Sequence, residues 1–83
     1  MLKRFEDALQ SYEKAISVKS DYAEAFYNRG IALHELKRFE DALQSYEKAI
    51  SIKSDYAEAE LGKALNLLLR GYFSEGWKHY ADS

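Results

Sequence analysis

The chain carries one segment twice. Residues 2–25 read LKRFEDALQSYEKAISVKSDYAEA, and residues 36–59 read LKRFEDALQSYEKAISIKSDYAEA. The two copies start 34 residues apart and differ at one position, where Val18 in the first corresponds to Ile52 in the second. A repeat of this length is typical of stacked helical hairpins, because each unit can bury its apolar face only against a neighbouring unit. The period therefore predicts a fold of repeated helix pairs.

Within each copy, the apolar residues follow the period of an amphipathic helix. In the second copy they recur every three or four residues, so that they share one face. This stripe consists of Phe39, Ala42, Leu43, Tyr46, Ala49 and Ile50. The chain also contains no proline. We therefore predict an all-α fold, an α-α superhelix of about five antiparallel helices, at residues 2–18, 22–36, 39–52, 56–70 and 73–81.

The expected helix ends carry weak signals. Asp21, with Glu24 three residues later, predicts a variant of the capping box at the start of the second helix. Lys37 occupies the turn at residues 35–39, where a left-handed glycine would be favoured, and a non-glycine residue there costs about 1 kcal/mol. Two alternatives follow. Either the turn closes a normal hairpin, or residues 22–52 form one continuous helix that completes its hairpins with a second molecule, as a domain-swapped dimer.

The composition excludes several classes of protein. The chain is 47% hydrophobic and 31% charged, which is typical of neither a disordered nor a membrane-spanning chain. The net charge of −2 comes from interspersed charges, so we expect no binding to nucleic acid or to a membrane surface. There is no cysteine, which excludes disulfides and thiolate metal sites. The first residues contain no apolar signal segment, so a cytoplasmic location is expected.

No pattern in the sequence predicts catalysis. His34 and His79 are single histidines without a second ligand at metal-binding spacing. The helical serines have no adjacent base and no glycine-rich turn that would make a nucleophile. We therefore expect no enzymatic activity, no metal ion and no cofactor.

The chain resembles the tetratricopeptide repeat, a helix-turn-helix unit with the pattern W-x2-L-G-x2-Y, then A-x3-F, then P. Phe26 stands for the first aromatic residue, Gly30 for the glycine and Leu33 for the next large residue. Ala42 and Tyr46 stand for the pair in the second helix. The terminal proline of the pattern is absent. The last stretch, GYFSEGWKHY, resembles the closing segment of many bacterial members.

The resemblance implies a single domain over residues 1–83. Residues 2–22 would be the second helix of a truncated repeat, residues 23–56 a complete repeat, and residues 57–83 an atypical C-terminal repeat. In this family the first helix of each repeat lines a concave groove that binds a peptide or protein partner. On the matching positions, the groove is expected to consist of Glu24, Tyr27, Asn28, Ile31, His34, Glu35, Glu58, Leu61, Leu65 and Leu68.

Two alternatives to partner binding remain open. The first helix lacks the helix that would precede it in a complete repeat, so its apolar residues predict self-association into a homo-oligomer. The chain could also be an accessory repeat segment of a larger bacterial enzyme, as its closing segment suggests. The residues expected to mediate self-association are Phe5, Leu9, Tyr12, Ile16 and Leu69.

Overall fold

The computed structural model describes the backbone of residues 2–71 and the side chains of residues 4–69. This part of the chain forms four helices: α1 (Leu2–Val18), α2 (Ala23–Glu35), α3 (Phe39–Ile52) and α4 (Ala57–Gly71). The all-α fold is confirmed, and these four helices begin and end within one residue of the predicted bounds. The described residues contain four helices, and not the expected number of about five. The fifth, at residues 73–81, lies outside the described residues.

Each helix packs against the next one in sequence, and α2 also contacts α4. The helix α2 therefore contacts all three other helices. Arg29 of α2 connects two of them, because its guanidinium donates a hydrogen bond to the Ser45 hydroxyl of α3 and forms a 3.5 Å ion pair with Glu13 of α1. Since Ser45 is buried, this hydrogen bond satisfies a polar group at the interface between α2 and α3.

The core consists of two clusters joined by aromatic rings. The first contains Leu9, Leu33, Ala42 and Tyr46, with contributions from α1, α2 and α3. Alanines and the Tyr56 ring form the second cluster. The abundance of alanine follows from the packing, because helices approach closely only where the side chains between them are small. The buried members of the second cluster are Ala23, Ala49, Tyr56 and Ala59.

The chain turns back between α2 and α3 through a Schellman motif. Lys37 has a φ of 63°, in the left-handed region, as its place in the sequence predicted. The Arg38 N–H donates to the Leu33 carbonyl at 2.8 Å, and the Lys37 N–H donates to the His34 carbonyl at 2.9 Å. These bonds close the hairpin within one molecule. The alternative of a continuous helix over residues 22–52 is therefore not what the structure adopts.

The predicted capping box at the start of α2 is wrong. The N-cap residue of this helix is Tyr22, and no side chain caps it. Asp21 lies one residue too early, because the backbone first turns through a hydrogen bond from the Tyr22 N–H to the Lys19 carbonyl. Helix α3 likewise starts without a side-chain cap, although Asp41 in its first turn pairs with Arg38 at 2.9 Å.

Candidate functional site

An open groove of about 320 Å³ lies between α2 and α4, and we call it the α2–α4 groove. Both helices are joined to α3 by short turns, so they run in the same direction and form its two walls. The ring of Tyr46, from α3, lies between them. The groove is lined by Tyr27, Ile31, His34, Glu35, Tyr46, Glu58, Leu61, Gly62, Leu65 and Leu69.

The base of the groove is aromatic. The ring of Tyr27 lies between two others, with centroid distances of 6.1 Å to Tyr46 and 5.2 Å to Tyr56. Tyr46 is itself in contact with the backbone of Gly30 and of Gly62. Rings in tilted contact resist rearrangement, because each fills the space that its neighbour would need. Tyr27 of α2 and Tyr46 of α3 therefore form the base of the groove, and Tyr56, which precedes α4, packs against Tyr27 outside the lining.

The carboxylates near this base affect its phenols. Burial is the main cause that raises the pKa of Tyr46 above its ordinary value of 10.0, and the nearby Tyr27 and Glu35 raise this pKa further. Burial also raises the pKa of Tyr56, followed by the charges of Glu24 and Glu58. Both phenols are consequently neutral at pH 7.

The walls of the groove are apolar and accessible. Leu61 is 61% exposed and Leu65 is 48% exposed on α4, and Ile31 faces them from α2. The polar lining residues are His34, Glu35, Glu58 and the tyrosines, and none of the lining residues is lysine or arginine. The site can therefore bury apolar side chains and attract positive charge.

A second, smaller groove of about 200 Å³ lies between α1 and α2, and we call it the α1–α2 groove. It contains Ala8 and Tyr12, which are partly exposed, whereas their counterparts Ala42 and Tyr46 in the second copy are buried beneath α2. No described helix covers this part of α1 in the same way. The groove is lined by Arg4, Phe5, Ala8, Tyr12, Asn28, Ile31 and Ala32.

Most of the residues predicted to form a partner-binding groove lie together in the α2–α4 groove. Asn28 lines the α1–α2 groove instead, and Glu24 and Leu68 line neither. Leu69, which was expected to mediate self-association, also lines the α2–α4 groove. The predicted residues found in this groove are Tyr27, Ile31, His34, Glu35, Glu58, Leu61 and Leu65.

The residues expected to form a self-association surface on α1 do not share one environment. Phe5 and Tyr12 line the α1–α2 groove, and Ile16 is half-buried. Leu9 is only 8% exposed, because it packs against Leu33 of α2 in the core. Leu9 is therefore unavailable to a second molecule, and its assignment to an exposed surface is corrected.

Sequence reasoning missed the contribution of Tyr46 to the groove. It belongs to the second helix of the repeat and was not among the expected groove residues, yet its ring packs against Gly30 of α2 and Gly62 of α4 and lines the groove. A signal was present in the sequence. Gly30 and Gly62 occupy helix interiors, where glycine is unfavourable, and both lie against this ring.

The described residues offer no second kind of site. No group of three or more His, Cys, Asp or Glu side chains among them could hold a metal ion. His34 packs edge-on against Phe39, with a centroid distance of 5.0 Å. Within the same part of the chain, no helix combines the length and the apolar character needed to cross a membrane.

Consecutive helix pairs packed around shared alanines, with a groove between the first helices of successive pairs, define a helical-repeat protein. Residues 23–56 match the family model described as tetratricopeptide repeat, and residues 2–37 match the model described as TPR repeat. Together the two matches span residues 2–56, and the chain belongs to the tetratricopeptide-repeat family. No curated protein and no solved structure matched the chain. Repeats of this family are generally protein–protein interaction modules.

Proposed function

We propose that the chain binds a protein partner in the α2–α4 groove and has no catalytic activity of its own. The observation that carries this proposal is the row of exposed apolar side chains along the groove, led by Leu61 and Leu65. Complete burial of one leucine side chain contributes about 1.5–3 kcal/mol. A partner that fills the groove would bury several such side chains against a rigid aromatic base.

The shape of the site favours a partner over a solvated surface. Exposed leucines occur singly on many proteins without a function. Here Leu61, Leu65 and Leu69 follow one another at four-residue spacing along α4, and Ile31 extends the apolar surface onto α2. A concave apolar surface with a few polar groups at its edge is typical of a binding site.

The test is a selection of displayed random peptides on the folded chain, followed by a comparison of two variants. Leu65→Gln changes the groove, whereas Leu68→Gln changes an exposed leucine of the same helix outside the groove. Peptides bound in the groove should lose affinity by about tenfold or more with Leu65→Gln, because a buried apolar contact is lost. They should bind Leu68→Gln as they bind the parent chain.

Equal effects of the two variants would contradict the proposal, as would selected peptides that depend only on residues of α1. Circular dichroism and urea unfolding of both variants give the folded fraction under the binding conditions, so that a loss of affinity is not mistaken for a loss of structure.

A second candidate function, self-association through α1, is favoured by one comparison between the copies. Tyr56 is 6% exposed, whereas its counterpart Tyr22 is 38% exposed. The difference arises because Tyr27 and Ala23 pack against Tyr56, and no described helix supplies their counterparts at Tyr22. A second molecule could cover this end of the repeat.

Light scattering coupled to size exclusion tests this candidate over a wide range of concentrations. A mass above the 9.6 kDa of the chain, which falls when Tyr12→Lys is introduced, would support self-association through the α1–α2 groove. A constant 9.6 kDa would exclude it, and so would an oligomer that Tyr12→Lys leaves unchanged.

We also propose that the protein acts in the cytoplasm and does not bind nucleic acid. The net charge of −2 and the interspersed arrangement of the charges support the second statement. Cell fractionation and a filter-binding assay with DNA and RNA at low ionic strength check the two statements. Enrichment in a membrane or secreted fraction, or salt-sensitive retention of nucleic acid, would contradict them.

A further inference from the structure

We infer that the α2–α4 groove recognises a helical segment of a partner protein, with an apolar face bordered by lysine or arginine. This inference rests on the proposed function and adds the conformation and the charge of the partner. Two observations carry it: the charge of the residues that line the groove, and the four-residue spacing of the leucines along its α4 wall.

The charged residues of the groove all have one sign. Glu35 ends α2 and Glu58 lies in the first turn of α4. Because α2 and α4 run in the same direction, these carboxylates lie toward opposite ends of the groove. No lysine or arginine is among the lining residues.

Neither carboxylate belongs to one of the ion pairs seen in the described part. Three ion pairs of the described part join Arg29 to Glu13, Arg38 to Asp41, and Lys63 to Glu47. None of them includes a residue of the groove lining. Lysine or arginine at both borders of a bound segment would therefore meet a carboxylate at either end.

The groove lining contains no side-chain amide, the group that can donate to and accept from an extended backbone at the same time. An extended peptide presents backbone N–H and C=O groups that must be hydrogen-bonded when they leave water. Asn28, an amide side chain that was expected to line the partner-binding groove, lies in the α1–α2 groove, and the corresponding position of α4 is Gly62. The α2–α4 groove has no asparagine or glutamine in its lining.

A helix avoids this requirement, because it satisfies its own backbone hydrogen bonds. Its apolar residues at three- and four-residue spacing would lie along the stripe of Leu61, Leu65 and Leu69, which has the same spacing. Lysine and arginine at the borders of such an apolar face would reach Glu35 and Glu58, while their long aliphatic stems cover the apolar walls.

The experiment uses three synthetic helical peptides of about five turns, with the full chain as the binding protein. Two peptides share one leucine face and carry either lysine or glutamate on the polar face. The third has the composition of the lysine peptide with its leucines distributed around the helix. Affinities are measured by fluorescence anisotropy at about 50 mM and about 500 mM salt. The comparison separates the attraction between charges, which salt screens, from the contribution of apolar contacts, which it does not screen.

We expect the lysine peptide to bind at least about tenfold more tightly than the glutamate peptide at low salt, and the scrambled peptide to bind weakly. The double variant Glu35→Gln/Glu58→Gln should lower the affinity for the lysine peptide by about three- to tenfold and make that affinity less dependent on salt. The matched control Glu6→Gln/Glu60→Gln removes the same charge outside the groove and should have a smaller effect.

Equal binding of the lysine and glutamate peptides would overturn the inference, as would equal effects of the two double variants. Failure of all three helical peptides would also overturn it. The proposed function fails separately, when no displayed peptide depends on Leu65. If displayed peptides still depend on Leu65 while the lysine helix does not bind, the groove binds partners of another conformation or charge.

Discussion

A Cβ atom placed on Gly30 would lie 2.6 Å from Cε1 of Tyr46, closer than carbon atoms of a folded protein approach one another. A Cβ on Gly62 would lie 2.9 Å from the same Cε1. The ring therefore packs closely against the backbones of both glycines. This arrangement determines how closely α2 and α4 approach α3, and with it the width of the α2–α4 groove.

The substitution Gly30→Ala should therefore destabilise the protein. Overpacking of a closely packed interior costs about 1–3 kcal/mol, which exceeds the gain of up to about 1 kcal/mol that alanine brings to a helix. The measurement is the free energy of unfolding in urea. Gly62→Ala should cost less, because its contacts with the ring are longer.

The variant Tyr46→Leu provides the control for this explanation. With the ring removed, Gly30→Ala should no longer be destabilising, and the two substitutions should be strongly non-additive. An additive double variant would show that the cost of alanine at this position has another origin.

Lys37 provides a second test, at the turn between α2 and α3. Its φ of 63° is unfavourable for a residue with a Cβ, so Lys37→Gly should raise the free energy of unfolding by about 1 kcal/mol. Lys53→Gly is the matched control. That lysine also follows a helix but has a φ of −126°, where a Cβ causes no backbone strain that glycine could remove. A loss of stability with Lys37→Gly, or equal gains at both positions, would contradict the explanation.

The sequence predicts the helices well because its repeat constrains them twice. The stripe that includes Phe39 and Ala42 has a copy 34 residues earlier, so one helical period must fit both. Lys37 could also be placed in the turn from the pattern alone. The start of α2 could not be predicted in this way. A backbone hydrogen bond of Tyr22 places Tyr22, and not Asp21, at the N-cap, and the local sequence does not show which of the two residues takes this position.

The groove could be predicted less completely than the helices. Periodicity identifies the face of α2 and α4 that carries Ile31 and Leu65, but it does not give the rotation of one helix relative to the other. The same limit explains why Leu68 falls outside the groove and Leu69 within it. The contribution of Tyr46 to the groove depends on the close approach of α2, α3 and α4. This approach is a property of the packed helices and cannot be found in the pattern of any one of them.

Alkaline pH should destabilise the protein through its buried phenols. Burial raises the pKa of Tyr46 and of Tyr56 above 10.0, so the folded chain retains these protons where the unfolded chain releases them. The resulting stability is fully present below about pH 10 and is lost as the pH rises toward the folded pKa. The free energy of unfolding, followed in urea from pH 8 to about 11, should therefore fall at the upper end.

Phenylalanine at these positions removes the ionisable group and keeps the ring. Tyr46→Phe and Tyr56→Phe should each flatten the alkaline decline, whereas Tyr22→Phe controls for loss of a hydroxyl at an exposed position. If the decline is unchanged in both buried variants, groups other than these phenols cause it.

Asn66 is the one buried amide of α4, and it is only partly satisfied. Its Nδ2 donates a 3.0 Å hydrogen bond to the Phe39 carbonyl, while its Oδ1 is buried without a hydrogen-bond partner in the described structure. A neutral hydrogen bond contributes about 1 kcal/mol, and an unpaired buried acceptor costs about 1–3 kcal/mol. The corresponding residue of the preceding repeat is Ala32, which is buried as well.

Asn66→Ala should consequently change the free energy of unfolding by no more than about 1 kcal/mol, since the lost bond and the lost penalty offset each other. Asn66→Asp should be clearly more destabilising at pH 7, because it introduces a buried charge, and part of the loss should be recovered at low pH. Urea unfolding of both variants gives the comparison. A loss above about 3 kcal/mol with alanine would contradict this balance.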